Sequence, residues 1–261
     1  NGTFTHSNGT VVINNGGVGI SHAAIKNGDA TSTTGFYDLT ISGGGTTCEI
    51  YNSTTIHRNM EAGGATTVLR GALTVNGNLT IYGALTTIYS STSYDLTVNG
   101  TTTIGLGSGA ADVSTLTCND STVSLGALRQ QADYAVNIEV GGTFVGGTGT
   151  HTFGSLYMAQ SANAKATMTT GQVKVNGENT SANKAWRVEY GGDTFDNANG
   201  TVMFQFNGFD SRFSMRSEGH ANNAFHNLII FMNGDTRQIS PDNGNKIIVD
   251  NDLTITRYSH F

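Results

Sequence analysis

A three-residue phrase, leucine, then threonine, then a branched aliphatic, keeps returning along the chain. It is written as Leu39-Thr40-Ile41, Leu73-Thr74-Val75, Leu79-Thr80-Ile81, Leu96-Thr97-Val98 and Leu253-Thr254-Ile255, with Val173-Lys174-Val175 and Leu228-Ile229-Ile230 as variants. In an extended strand neighbouring side chains face opposite ways, so the two aliphatics share one side and the threonine takes the other. Each phrase therefore predicts a short strand with one dry and one wet face. Asn-Gly pairs at 76–77, 99–100, 176–177, 207–208, 233–234 and 243–244 follow or separate the phrases. Both residues tolerate the positive φ of tight turns, so the expectation is short strands punctuated by turns.

Two longer segments also match. Thr3-Phe4 through Asn8-Gly9-Thr10-Val11 aligns with Thr194-Phe195 through Asn199-Gly200-Thr201-Val202. Phe36-Tyr37-Asp38-Leu39-Thr40-Ile41 aligns with Phe225-His226-Asn227-Leu228-Ile229-Ile230. Both copies then close on an Asn/Asp-Leu-Thr-Ile strand, at 78–81 and 252–255. This divides the chain into a repetitive β region over 1–126, a less regular β region or insertion over 127–193, and a diverged second copy over 194–261. Within the middle part, 127–135 and 158–166 are rich in Ala and Gln and could form single helical turns, and Trp186 sits between a lysine-bearing loop and a plausible strand over 187–190.

Units too small to bury their own apolar side complete one another's core by stacking. The predicted class is all-β, a β-solenoid or β-helix-like stack, with the spacings from Leu79 to Leu96 and from Leu96 to Leu116 taken as about one rung. A β-sandwich or jelly roll built from hairpins is the alternative, most naturally between residues 73 and 81.

Composition fits an uncharged β surface. Charged residues make up 12% of the 261 residues, against roughly 25% in an ordinary soluble domain. Thr, Ser, Asn and 35 Gly must cover the exterior instead. The net charge of -6, with Lys and Arg scattered singly, leaves no basic stripe for nucleic acid. No apolar run is long enough for a membrane helix. The chain opens at Asn1 rather than methionine, as a processed or partial chain would. Cys48 and Cys118 stand far apart in sequence; a disulfide and two small buried residues are both open, the second being the plainer reading. Eight Asn-x-Ser/Thr sequons, at Asn1, Asn8, Asn52, Asn78, Asn99, Asn119, Asn179 and Asn199, follow from a composition so rich in these residues.

Chemistry-bearing residues are dispersed. Seven histidines (His6, His22, His57, His151, His220, His226, His260) form no metalloprotease spacing, and His220 with His226 is the closest pair. Glu189, Asp193, Asp196 and Asp210 form the densest acidic stretch. Paired carboxylates could cleave a glycosidic bond, and Asp193 with Asp196 could hold calcium. Asp196, however, falls where a turn needs an Asp. Gly43-Gly44-Gly45 and 105–109 open no helix and are read as turns. Phe195, Phe204, Phe206, Phe209, Phe213, Phe225 and Phe231, with Met203, Met215 and Met232, imply a thicker core or an apolar face against another subunit. Catalytic, cofactor-binding and metal residues are accordingly expected to be none.

The strings "TFTHSNGTVVIN", "GFYDLTISGG" and "LTVNGNLTI" resemble the repeat vocabulary of glycine/threonine/asparagine-rich β-solenoid proteins of tailed-phage virions, of fibre or decoration type, and of bacterial adhesin-like surface proteins. The resemblance runs mainly over residues 1–104 and 194–255 and touches scaffold positions alone. It implies a non-enzymatic structural virion protein (fibre, spike or capsid decoration) on the virion surface or otherwise extracellular. Such a protein would be a homo-oligomer contacting other virion or surface proteins, with a cell-surface glycan as a further candidate partner and neither nucleic acid nor membrane. A bacterial adhesin is the alternative, and a polysaccharide-degrading β-helix enzyme the second alternative.

Overall fold

The computed structural model describes residues 7–14, 22–26, 35–43, 47–64, 66–105, 113–126, 134–176, 185–188, 194–205, 212–217, 224–233, 238–241 and 247–258. Every regular element among them is a β-strand. The strands fall into three long parallel sheets of ten, eight and nine strands, called here faces A, B and C. The chain visits them in rotation: Asp38–Ser42 on A, Thr47–Tyr51 on B, Thr54–Ile56 on C, then Met60–Ala62 on A again. This is a three-sided β-solenoid. Leu73–Val75 and Leu79–Ile81, adjacent in sequence, lie on different faces and do not pair, so the hairpin-built sandwich is excluded. At about 4.8 Å per rung, ten stacked strands extend face A over roughly 45 Å.

Residues stack in columns because parallel strands pair in register. On face C, Leu73, Leu96 and Val123 stand over one another, as do Val75, Val98 and Leu125. All six are essentially inaccessible, while Thr74, Thr97 and Ser124 between them stay partly exposed. The Leu-Thr-aliphatic phrase thus means what its alternation suggests. In Thr54-Thr55-Ile56 and Thr102-Thr103-Ile104, however, the first threonine takes the inward column and is buried.

A rung is neither fixed in length nor measured by Leu79 to Leu96, which sit on faces A and C. True neighbours on one face are separated by anything from eighteen positions (Thr66 to Ala84) to thirty-four (Thr102 to Val136). The strands are short and constant and the corners absorb the difference. Residues 136–188 continue the three faces without a break in pairing among the described strands. No helical turn occurs over 158–166, where a strand residue, a turn and the strand Lys165–Thr169 follow one another; most of 127–135 lies outside the described residues. Trp186 opens Trp186–Val188 and faces the core.

The Asn-Gly corners at 76–77 and 99–100 work differently from expectation. Neither pair has positive φ. Glycine is needed because successive rungs touch there: a Cβ on Gly77 would lie 2.2 Å from the Arg58 carbonyl oxygen, and one on Gly100 would lie 2.4 Å from that of Gly77. The asparagines and an aspartate beside this corner form a ladder. Asp38 Oδ1 accepts the Asn59 N–H at 3.0 Å, Asn59 Oδ1 accepts that of Asn78 at 3.0 Å, and Asn78 Oδ1 accepts that of Thr101 at 2.9 Å. Each side chain thus satisfies a backbone donor of the next rung at a turn. Residues 177, 207–208, 234 and 243–244 of the other Asn-Gly pairs lie outside the described residues.

The two matching segments keep their stacking but change face. Val11 pairs with Leu39 on face A, and Val202 with Leu228 on face C. Both enter through two positive-φ residues, Ser7-Asn8 and Ala198-Asn199. The third elements diverge: Leu79 is two rungs beyond Leu39, whereas Leu253 is one beyond Leu228.

The core thickens towards the second copy. Trp186 packs edge-on to Phe195 and Phe204 at centroid distances of 6.2 and 6.1 Å and meets Phe225 at 5.5 Å. These rings are buried, which is the core reading of the aromatic cluster; Phe206, Phe209 and the side chain of Phe213 lie outside the described residues. Cys48 and Cys118 are free and buried. Burial pushes the Cys48 thiol up to about 11, with the neighbouring Glu49 adding to the rise, and burial raises Cys118 as well.

His151 occupies an inward column between Val123 and Val173. Its Nε2 donates to the Gly146 carbonyl at 2.8 Å, and its ring stacks on Phe153 and meets the edge of Phe144. Burial lowers its affinity for a proton, with the Gly146 bond opposing, so the folded state holds it neutral. The unfolded chain takes up that proton first, at about pH 6.5. Stability is therefore complete above that pH and falls as pH drops below it, until the folded histidine also protonates. Thermal melts between neutral and mildly acidic pH should show this loss, and His151→Val should remove that part of the slope. In the same assay Leu79→Ala should cost about 2–5 kcal/mol and Thr80→Ala no more than about 0.5 kcal/mol.

Candidate functional site

The corner between faces B and C carries one departure from the rotation; elsewhere the described strands pass from face B to face A between His22–Lys26 and Asp38–Ser42, and alternate between faces A and C from Arg212–Ser217 on. Among the described residues the one antiparallel pair is Ile88–Tyr89 with Thr92–Ser93, joined through Ser90 at φ 60. The chain leaves face B at Thr87, whose hydroxyl donates to the Cys118 carbonyl at 2.6 Å and lies 2.6 Å from Ser121 Oγ. It returns at Tyr94, whose N–H bonds the Thr87 carbonyl at 2.8 Å. A closed six-residue hairpin therefore stands out from the rung without disturbing the strands on either side.

On one side of the hairpin an arginine is held by its neighbours on face B. Tyr51 and Arg70 are paired positions on adjacent rungs. The Arg70 guanidinium lies 4.5 Å from the Tyr51 ring centroid and 3.2 Å from that of Tyr89. It also donates to the Tyr51 hydroxyl and pairs with Glu49 Oε2 at 3.0 Å. Glu49 is buried and Arg70 largely so, which makes this an enclosed ion pair lidded by Tyr89, itself 38% exposed.

On the other side lies a shallow recess of about 470 Å³ lined by Ile88, Ser90, Ser91, Asn119, Asp120, Gly147 and Thr148. Its floor is the same corner on the next two rungs. Asn119 and Gly147 adopt positive φ there, and the Asn119 carbonyl accepts the N–H groups of Thr148 and Gly149 at 2.8 and 3.0 Å. Asp120 takes the Ser93 hydroxyl. Hydroxyls, an amide and one carboxylate are groups suited to hydrogen-bonding a polar ligand.

The sequence did not single out this corner. Its signal was the string Ile88 to Tyr94, two tyrosines around four hydroxylated residues, in a rung otherwise written in Leu-Thr phrases. The acidic stretch that the sequence did single out is only partly placed: Glu189, Asp193 and Asp210 lie outside the described residues. Asp196 ends the strand Phe195–Asp196, and its Oδ1 accepts the Ala198 N–H at 2.8 Å, the turn role anticipated for it. His226 lies in Phe225–Asn233 and His220 outside the described residues. Among the described residues no three His, Cys, Asp or Glu gather as a metal site would require, and no helix is long and apolar enough to cross a membrane.

The fold defines the class, a parallel β-solenoid with three faces. No protein-family model matches the chain, and no curated protein or solved structure matches it either.

Removing one member of an enclosed ion pair strands the other. Arg70→Met should lower unfolding free energy by about 3 kcal/mol or more, whereas Glu49→Leu/Arg70→Met should recover most of that. Denaturant titration of the two variants checks it.

Proposed function

We propose that this chain is a non-enzymatic structural protein of a virion: a fibre, spike or capsid-decorating appendage that faces the exterior and touches other virion or surface proteins. The observation that carries this reading is the character of the outward columns. On face C five successive rungs present Thr55, Thr74, Thr97, Ser124 and Thr152, all hydroxylated, before Lys174, Met203 and Ile229 follow in the same column. One surface charge is tied down where it stands: Arg58 binds Asp38 through two hydrogen bonds of 2.9 and 2.5 Å. Burial pushes the Asp38 carboxyl up, but the bonds from Arg58 and the Asn59 N–H together with the arginine charge outweigh it and hold the acid below its usual range. Such an exterior suits a passive exposed rod: it is well hydrated, weakly charged and nearly independent of salt.

A bacterial adhesin is the second reading, and the recess beside the 88–93 hairpin favours it. The hydroxyls of Ser90, Ser91 and Thr148 and the amide of Asn119 match what a neutral glycan offers. Both readings place the chain outside the cell, and the recess serves attachment in either.

Mass spectrometry on density-purified particles and on cell-envelope fractions from the source material separates them. A virion protein should appear with the particles at a fixed ratio to the major capsid protein. Recovery in the envelope fraction alone would favour the adhesin, and depolymerisation of a polysaccharide by the purified chain would overturn both.

A further inference from the structure

Face C and face A each present an edge strand, and they are at opposite ends of the stack. On face C the edge is Val249–Tyr258, ten residues long and paired on one side only, with Phe225–Asn233. Its Leu253 and Ile255 continue the inward columns of Leu228 and Ile230. Leu228 and Ile230 are 0% and 4% exposed, while Leu253 and Ile255 are 55% and 59% exposed. Among the described residues nothing covers the core at this edge. A long edge strand that leaves apolar side chains uncovered is a template for another strand.

On face A the opposite edge is Thr10–Asn14, paired on one side with Asp38–Ser42. Val11 and Ile13 occupy inward columns but are only half-buried, whereas Leu39 and Ile41 on the next rung are 1% and 0% exposed. Among the described residues no strand precedes this edge.

The chain itself displays what belongs there. The internal copy of this strand, Thr201–Gln205, enters through the same pair of positive-φ residues and does have a predecessor, Gln172–Val175. Val202 lies on Val173 and Phe204 on Val175, and both copy residues are buried. The predecessor sits on face C and reads polar, apolar, polar, apolar. Asp252-Leu253-Thr254-Ile255, at the uncovered edge of face C, reads the same way. At that end face A presents a shorter edge strand, Gln238–Pro241, whose last residue has no N–H to give to a further ladder.

We propose that a second copy of this chain docks its Thr10–Asn14 strand in parallel on the Val249–Tyr258 edge, with Val11 over Leu253 and Ile13 over Ile255. The incoming copy is turned by one face, as the internal copy is. Its outward Val12, 60% exposed in the single chain, then stands beside the outward Thr254. The contact joins two different surfaces, so it does not close on itself, and copies add head to tail into a longer rod. The inference stands apart from the virion reading, since an adhesin or any other solenoid with these two edges would associate in the same way.

Paired positions on stacked strands are about 4.8 Å apart, within the Cα separation that a disulfide spans. Chains carrying Val12→Cys are mixed with chains carrying Thr254→Cys under mild oxidation. A cross-linked species containing one of each is expected, and sedimentation of the unmodified chain should show assemblies that lengthen with concentration. Leu253→Lys/Ile255→Lys, on side chains already more than half exposed, should abolish both while leaving the melting temperature of the single chain unchanged. The proposal is overturned if the unmodified chain stays monomeric with no mixed cross-link, or if Thr254→Cys chains link only to each other, which would mean tail-to-tail pairing.

Discussion

Everything in this molecule follows from parallel strands stacking in register at one fixed repeat. A residue on any rung meets its counterpart above and below and few others, so each position belongs to a column, and the column decides what is tolerated. Inward columns accept Leu, Val, Ile, Phe or a neutral histidine. Outward columns accept threonine and serine, whose β-carbon substituents suit an extended backbone and whose hydroxyls suit water. At the corner beside Gly77 and Gly100 the column is so tight that carbonyls of one rung face the α-carbons of the next. The Asp38-Asn59-Asn78 ladder beside it is the same rule applied to side-chain amides and a carboxylate.

That rule explains how much could be read from residues alone. Alternation within Leu73-Thr74-Val75 determines which side chains face inward, because strand geometry is local. The partner of each strand is not local. Leu79 and Leu96 share a phrase and a spacing near twenty, yet they lie on different faces, and the strand that covers Leu79 begins with Thr102. Nothing in a three-residue phrase names its face, and corners of variable length erase the period that would have supplied it. The Asn-Gly pairs were recognised as corners, but for a dihedral reason, when contact between rungs is what excludes a side chain there.

The hairpin at 88–93 was invisible for a related reason. Its residues are ordinary for this chain, and its distinction is spatial: it sits on a corner where Arg70 of the preceding rung and Asn119 of the next approach it from opposite sides. The acidic residues that drew attention in sequence carried a signal of density rather than of place. For Asp196, the residue among them that is described, the carboxylate is committed to its own turn.

The A, B, C rotation, kept from Asp38–Ser42 to Arg212–Ser217 around the 88–93 hairpin, has a consequence for how the chain comes to be folded. Each strand's partner is the one laid down a single circuit earlier, never half a chain away, so ring closures stay small for an all-β protein and growth can proceed circuit by circuit. A nascent polypeptide emerging from the ribosome would meet a finished template at every step, which shortens the time during which sticky edges wait uncovered.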